Sequence, residues 1–153
     1  MHMFRTGSHK KSGFALAVAL LGTLTVLAAV GDVDLRAQAK NGAMELQCQW
    51  RSTAATGRTQ KQLQLNNHGL DAGTGVTFCI NDIAIANGAS TGPRDSIRVS
   101  LDSQKGTDPT VTGCGDSLTV VLGTVTPGAS CVAGEPPPTP LPITAFFTGP
   151  SCN

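Results

Sequence analysis

The sequence contains no tyrosine, and it has little charge and few aromatic residues of any kind. Its 153 residues include one tryptophan and five phenylalanines, and only 14% are charged, with 11 Lys and Arg against 10 Asp and Glu. This near-neutral balance gives no clustered basic surface for phosphate groups, which argues against nucleic acid as the main partner. The scarcity of rings also disfavours a carbohydrate-binding module that stacks sugars on exposed aromatic side chains.

Residues suited to catalysis are equally scarce. His68 is the only histidine beyond the N-terminal region, so a blue copper site, which needs two histidines, is excluded. Gly115-Asp116-Ser117-Leu118 resembles the GDSL signature of an esterase family whose serine is the nucleophile. That family places its histidine base near the C-terminus, and no histidine follows Ser117 here, so the serine would lack a base. We therefore expect no catalytic residues and no enzyme activity, with a hydrolase using Ser117 or His68 as the least favoured alternative.

Metal ligands are suggested only by acidic residues in turns. Such oxygen ligands suit calcium, but no D-x-D-x-D-G loop is present, and solvated turn carboxylates are the favoured interpretation. We expect no cofactor, while calcium at the acidic loops stays open. The residues concerned are Asp95, Asp102, Asp108 and Asp116.

The N-terminus has the layout of a secretory signal peptide. A basic segment precedes the uncharged residues 14–30, expected to form a hydrophobic signal helix, and Ala37-Gln38-Ala39 follows as a cleavage signature. A cut after Ala39 makes residues 1–39 the leader and predicts a secreted, periplasmic or cell-surface protein. The alternative is a retained anchor or pilin-like leader, although Val18 stands where pilin leaders carry glutamate. In that case this segment would be the protein's only contact with a membrane.

All five cysteines follow the predicted cleavage site, in a part of the chain that would meet an oxidising compartment. Their spacings contain no C-x-x-C pair, so disulfides are favoured over a metal or redox site. The favoured bridge is Cys131–Cys152, which would tie the tail to the body, with Cys79 and Cys114 as the other candidates. Cys48 has the inward parity of its strand and is expected to be the unbridged, buried thiol. An odd cysteine leaves a disulfide-linked dimer open.

Period-two alternation organises the chain after the leader. Met44, Leu46, Cys48 and Trp50 share one parity, which is typical of a strand with one face on a core. The pattern recurs in residues 60–66, 76–87, 96–102 and 117–125, and Asn81-Asp82 predicts a tight hairpin turn. We therefore predict an all-β fold, an antiparallel β-sandwich of about seven strands over residues 40–128.

The last residues, 129–153, form a Cys/Pro-rich tail. Five prolines fall within residues 136–142, which favours a stiff, extended conformation. A proline-rich recognition ligand is one interpretation. A spacer leading to a final short strand that packs on the domain is favoured, because Phe146 and Phe147 need a core.

The middle of the chain contains turn residues followed by strands of alternating polarity, a combination that recurs in other proteins. Over about residues 59–122 it resembles uncharacterised exported bacterial domains, and the resemblance implies an immunoglobulin-like sandwich and no catalytic residues. The residues that carry it are Leu70 to Thr74, then Val76, Cys79, Ile80 and Asn81, and later Gly115, Asp116, Leu118 and Val120.

These observations predict a secreted or surface-associated, non-catalytic domain with a structural, adhesive or binding role. The alternative is a membrane-tethered, pilin-like or anchored subunit. The sequence itself names no ligand, partner or oligomeric state.

Overall fold

The computed structural model describes residues 32–67, 69–107, 112–131 and 141–152. Within these ranges, segments in which apolar and polar residues alternate form eight strands. The only helices within these ranges are the short 3-10 turns Ser103–Lys105 and Pro150–Cys152, and none could span a membrane. The predicted signal helix lies outside the described residues. The strands are β1 Val33–Asn41, β2 Met44–Thr53, β3 Arg58–Asn66, β4 Gly75–Ile80, β5 Ile83–Ala89, β6 Ser96–Asp102, β7 Ser117–Leu122 and β8 Ile143–Phe146.

The strands form two antiparallel four-stranded sheets, which confirms the predicted all-β, antiparallel class. The first sheet has the order β1-β2-β3-β6, and the second has the order β5-β4-β7-β8. The chain crosses between sheets after β3, after β5 and after β6. As a result the β4-β5 hairpin of the second sheet comes, in chain order, between β3 and β6, which pair with each other in the first sheet.

Side chains of inward parity fill the space between the two sheets. Leu46 and Leu65 of the first sheet and Val76, Phe78 and Val120 of the second are fully buried. Burial of each such side chain stabilises the fold by about 1.5–3 kcal/mol. Trp50 is also buried, at 5% exposure, in agreement with its parity. Lys61 has the same inward parity in β3 and is fully buried as well.

The Asn81-Asp82 turn connects β4 and β5 as predicted. Its two residues have φ of 48° and 63°, a conformation that Asn and Asp tolerate because their side chains bond locally. The pairing of β4 with β5 shifts register between Phe78 and Cys79. The irregularity brings the adjacent residues Ile85 and Ala86 both into the core, whereas Ile83, opposite Ile80 beside the turn, is 40% exposed.

The first sheet begins before the predicted domain boundary. β1 pairs with β2 over nine residues, from Val33 opposite Ser52 to Asn41 opposite Met44. Leu35 and Ala37 are buried, so the Ala37-Gln38-Ala39 segment predicted as a cleavage site is part of a core strand. The alanines satisfy a small-x-small pattern because small apolar residues alternate along the inward face. The sandwich therefore extends beyond the predicted 40–128 at its N-terminal end.

The tail extends the sandwich at its other end. β8 pairs with β7 and contributes Ile143 and Ala145 to the core, so the predicted final strand is part of a sheet rather than an appendage. Phe147 is fully buried, whereas Phe146 is 61% exposed, so only one of the two rings needs the core. The prolines at 136–138 and 140 lie outside the described residues.

Four cysteines form two disulfides, but in a pairing that differs from the favoured Cys131–Cys152 bridge. Cys79 pairs with Cys131, and Cys114 pairs with Cys152, with Cα–Cα distances of 6.3 and 5.4 Å. The favoured bridge is wrong because the segment before Cys131 folds over β4, where Cys79 lies, while the C-terminus reaches the turn before β7. Cys48 is buried in β2, outside both disulfides.

Candidate functional site: the outer face of the first sheet

The Gly115-Asp116-Ser117-Leu118 motif spans the turn before β7 and the first two residues of that strand. The Asp116 carboxylate accepts hydrogen bonds from the Gly113 N–H at 2.6 Å and the Asn81 side-chain amide at 2.8 Å. The Ser117 N–H donates to Asn81 Oδ1 at 3.0 Å, and its hydroxyl lies 3.4 Å from the same oxygen. Both side chains thus fix the turn against the β4-β5 hairpin. His68, the other residue of the hydrolase alternative, lies outside the described residues.

The acidic residues weighed as calcium ligands lie apart, each in its own local network. Asp95 accepts the N–H groups of Thr91 and Ser96, and the Thr91 N–H is the largest cause of its lowered pKa. Asp102 pairs with Arg58. Asp108 lies outside the described residues. Within the ranges that the structure describes, His, Cys, Asp and Glu side chains do not gather in threes as a metal site would require.

Residues 123–131, which we call the cover segment, lie over the β4 and β5 side of the second sheet's outer face, whereas Thr144 and Phe146 of β8 at the other side are exposed. The Val125 N–H donates to Thr77 Oγ1 of β4 at 3.0 Å. Farther along, the Ala84 N–H of β5 donates to Ala129 O at 2.9 Å, and the Cys131 N–H donates to Asp82 O at 2.7 Å. The cover segment therefore also occupies the outer edge of β5. A second, smaller apolar cluster of Cys79, Ala84, Val121 and Cys131 lies beneath it.

The outer face of the first sheet lies open, and its central part is composed of amides and guanidinium groups with one hydroxyl. Its two middle rows run straight across the four strands, because every strand pair keeps its register there. One row is Arg36, Gln49, Gln62 and Ser100, and the other is Gln38, Gln47, Gln64 and Arg98. We call these eight residues the glutamine–arginine face. It holds two positive charges and no negative one.

Acidic side chains flank the glutamine–arginine face and are already engaged by their neighbours. Asp34 contacts Arg51 Nε at 3.6 Å and Arg36 Nε at 3.9 Å, and it accepts a hydrogen bond from Gln49 at 3.2 Å. At the opposite end Glu45 accepts a 2.7 Å hydrogen bond from Gln38. Hydrogen bonds from Gln47 and Gln38 lower the pKa of Glu45, and Lys40 adds to this effect.

The centre of this face forms an open depression of about 450 Å³. The charged residues that line it are Arg36, Arg51 and Arg98, and acidic residues are absent from its described lining. Arg36 and Arg51 extend into solvent, with side-chain exposures of 73% and 62%. The depression can therefore offer guanidinium donors to anions, and amides that both donate and accept hydrogen bonds.

Side-chain parity predicted the inward residues of these strands and assigned no role to the outward ones. The available signal was the repetition of glutamine and arginine at every second position of three strands, in residues 36–38, 47–51 and 60–64. Period-two alternation defines two faces at once, so the polar set was as well specified as the apolar one. Only the strand order, however, brings the separate runs side by side.

Comparison of the chain with protein-family models, with curated proteins and with solved structures finds no match in any of the three.

Proposed function

We propose that this chain is an exported, disulfide-bonded β-sandwich that acts by binding a ligand on its glutamine–arginine face and not by catalysis. A single contrast carries the proposal. One sheet has the apolar part of its outer face covered by the protein's own chain, whereas the other leaves eight aligned polar residues uncovered. An uncovered, well-ordered polar surface on a rigid sheet is a suitable platform for recognition, because the sheet fixes the spacing of its side chains.

Export is supported by the two internal disulfides and by the apolar segment 14–30 that precedes β1. Structural disulfides persist in oxidising compartments, which include the bacterial periplasm and the cell surface. The position of Val33 at the start of β1 favours a leader that ends before the strand. A tethered form would present the same face, since the segment precedes β1 in either case.

The strand order supports an immunoglobulin-like arrangement as the finer description of the fold. In that arrangement two crossed strand pairs interlock, one pair in each sheet. Here β3 pairs with β6 in the first sheet and β4 pairs with β7 in the second. β1 would then be an addition at the sheet edge, and it supplies two of the eight residues of the glutamine–arginine face.

The test is ligand screening with a variant that removes amides from the face. The intact, oxidised protein is applied to an array of polysaccharides, peptides and nucleic acids, beside Gln49→Ala/Gln62→Ala and the control Gln104→Ala. Gln104 is an exposed glutamine of a 3-10 turn, outside the face. We expect at least one ligand class whose retention falls about tenfold in the double variant only. A ligand that both variants retain equally would place the binding site elsewhere.

A further inference from the structure

We propose that the glutamine–arginine face binds an acidic polysaccharide, a linear chain of sugars that carries carboxylates. This inference rests on the proposed function and names the ligand class for the same face. It depends on where the guanidinium groups lie, on which groups separate them, and on the chemical groups that the face lacks.

The two arginines of the face are far apart and lean in opposite directions. Arg36 and Arg98 belong to β1 and β6, the two edge strands, three strand spacings and one row apart, or about 16 Å between Cα atoms. Arg36 Nε lies 3.9 Å from Asp34, and Arg98 Nε donates to Ser96 Oγ at 3.3 Å, so each side chain follows its own strand away from the other. A small anion cannot contact both, whereas an extended polymer can.

The groups between the arginines are neutral and suit hydroxyls. Five glutamines and a serine fill the rest of the two rows. Gln38, Gln49 and Gln64 already donate an amide N–H to Glu45, Asp34 and Asn66, and a glutamine amide has a second N–H and a carbonyl oxygen with which to bind hydroxyls. Guanidinium groups match carboxylates because their planar donors engage both oxygens. A chain with hydroxyls throughout and carboxylates at intervals is complementary to this distribution.

Other anionic polymers fit the face less well. Nucleic acid needs phosphate contacts at short, regular intervals and, when single-stranded, rings that stack on its bases. The face has two cations and no aromatic residue. An acidic peptide motif is recognised by clustered arginines, and the two arginines of the face are instead separated by about 16 Å. The low aromatic content disfavours stacked sugars but not sugars held by hydrogen bonds and charge.

The experiment measures affinity of the intact, oxidised protein for polygalacturonate, alginate and hyaluronate by titration calorimetry. Fully methyl-esterified polygalacturonate, which keeps the backbone and caps the carboxylates, is the matched ligand control. We expect binding to at least one of the three acidic chains, about tenfold weaker binding to the ester, and further weakening as salt rises.

Two matched double variants locate the site. Arg36→Gln/Arg98→Gln should weaken binding about tenfold, whereas Arg94→Gln/Lys105→Gln, which removes the same charge outside the two rows, should retain it. Equal loss in both variants, equal affinity for the ester, or no binding to any of the three acidic chains would overturn the inference. Tighter binding to poly-glutamate would do the same. The proposed function would survive these results if another ligand class still required Gln49 and Gln62.

Discussion

The β4 and β5 side of the second sheet's outer face lies under the protein's own cover segment, whereas the outer face of the first sheet lies open to solvent. The covered face is apolar at its centre, with Cys79 and Val121 buried beneath residues 123–131. The open face carries amides, guanidinium groups and a hydroxyl. An apolar face must be covered to be stable in water, while a polar face can stay exposed and available. The contrast in side-chain chemistry thus explains which sheet needs its own chain as cover.

The two sheets also differ in how their edges are protected. The cover segment hydrogen-bonds to β5, and Thr148, just after β8, exchanges two 2.8 Å backbone hydrogen bonds with Arg36 of β1. This link closes one side of the sandwich by joining an edge of each sheet. Edge strands with unpaired backbone groups invite aggregation, so both connections limit that hazard. β1 is therefore important for the open face and for closure of the sandwich.

Removal of β1 should lower the stability of the protein more than any other change to the open or the covered face. A protein that begins at Lys40 loses Leu35 and Ala37 from the core, the link to Thr148, and Arg36 and Gln38 from the face. We expect its free energy of unfolding to fall by at least about 5 kcal/mol relative to a protein that begins at Asp32, which is more than loss of either disulfide should cost. Urea unfolding followed by tryptophan fluorescence measures the difference.

The native N-terminus provides the complementary observation. If β1 is required, mass spectrometry of the protein purified from its native source should find a chain that starts at or before Asp32. A natural chain that starts at Lys40, and unfolds at the same urea concentration as the longer one, would show that β1 is dispensable.

Removal of the Cys79–Cys131 disulfide should release the cover segment from the outer face of the second sheet, while the open face of the first sheet keeps its structure. The bridge closes a loop of 52 residues, and loop entropy predicts a loss of about 4 kcal/mol for Cys79→Ala/Cys131→Ala. Limited proteolysis should then cut within the cover segment, because the bridge anchors the end of that segment to β4. Denaturant titration and mapping of the cleavage sites measure the two effects.

The other disulfide provides the control. Cys114→Ala/Cys152→Ala opens a loop of 38 residues and should cost a similar free energy by the same reasoning. Its release frees the C-terminus from the turn before β7, so cleavage should shift to the C-terminus. Identical cleavage patterns in the two variants would contradict the specific role of Cys79–Cys131 in holding the cover segment.

The strands were predictable because each carries its own period-two pattern, which requires no knowledge of the rest of the chain. The Asn81-Asp82 turn was predictable for the same reason, since the positive φ of both residues is a local property. β1 was missed because Ala37 and Ala39 satisfy two patterns at once, a cleavage signature and the inward face of a strand. Local sequence alone does not distinguish them; the partner strand does.

The disulfide pairing and the glutamine–arginine face depended on long-range arrangement. Cys79 and Cys131 are 52 residues apart and come together only because the cover segment folds back over β4. Likewise Gln62 and Ser100 become neighbours only because β6 returns beside β3. No local pattern encodes the strand order, and this explains why these features could be identified only from the three-dimensional structure.

The smallest expected effect concerns the ionic contact at one end of the open face. Asp102 lies opposite Gln60 at the end of β6 and pairs with Arg58. The hydrogen bond from Arg58 is the largest cause that lowers the pKa of Asp102 to about 2, and the Gln104 N–H also lowers it, with its hydrogen bond at 3.0 Å. In the unfolded chain the pKa of aspartate is about 3.9.

Because the native pKa lies below the unfolded value, this pair stabilises the fold at pH values above about 4, and the contribution is lost as the pH falls towards 2. Asp102→Asn should therefore lower Tm at pH 7, and the gap from the unmodified protein should narrow between pH 4 and pH 2. Thermal unfolding by circular dichroism at pH 7, 4, 3 and 2 measures the gap. The difference in Tm between Arg58→Gln and the unmodified protein should narrow in the same pH window, because this substitution removes the partner that lowers the pKa of Asp102. A gap that stays constant from pH 7 to pH 2 in both variants would mean that packing, and not charge, accounts for the contribution of Asp102 to stability.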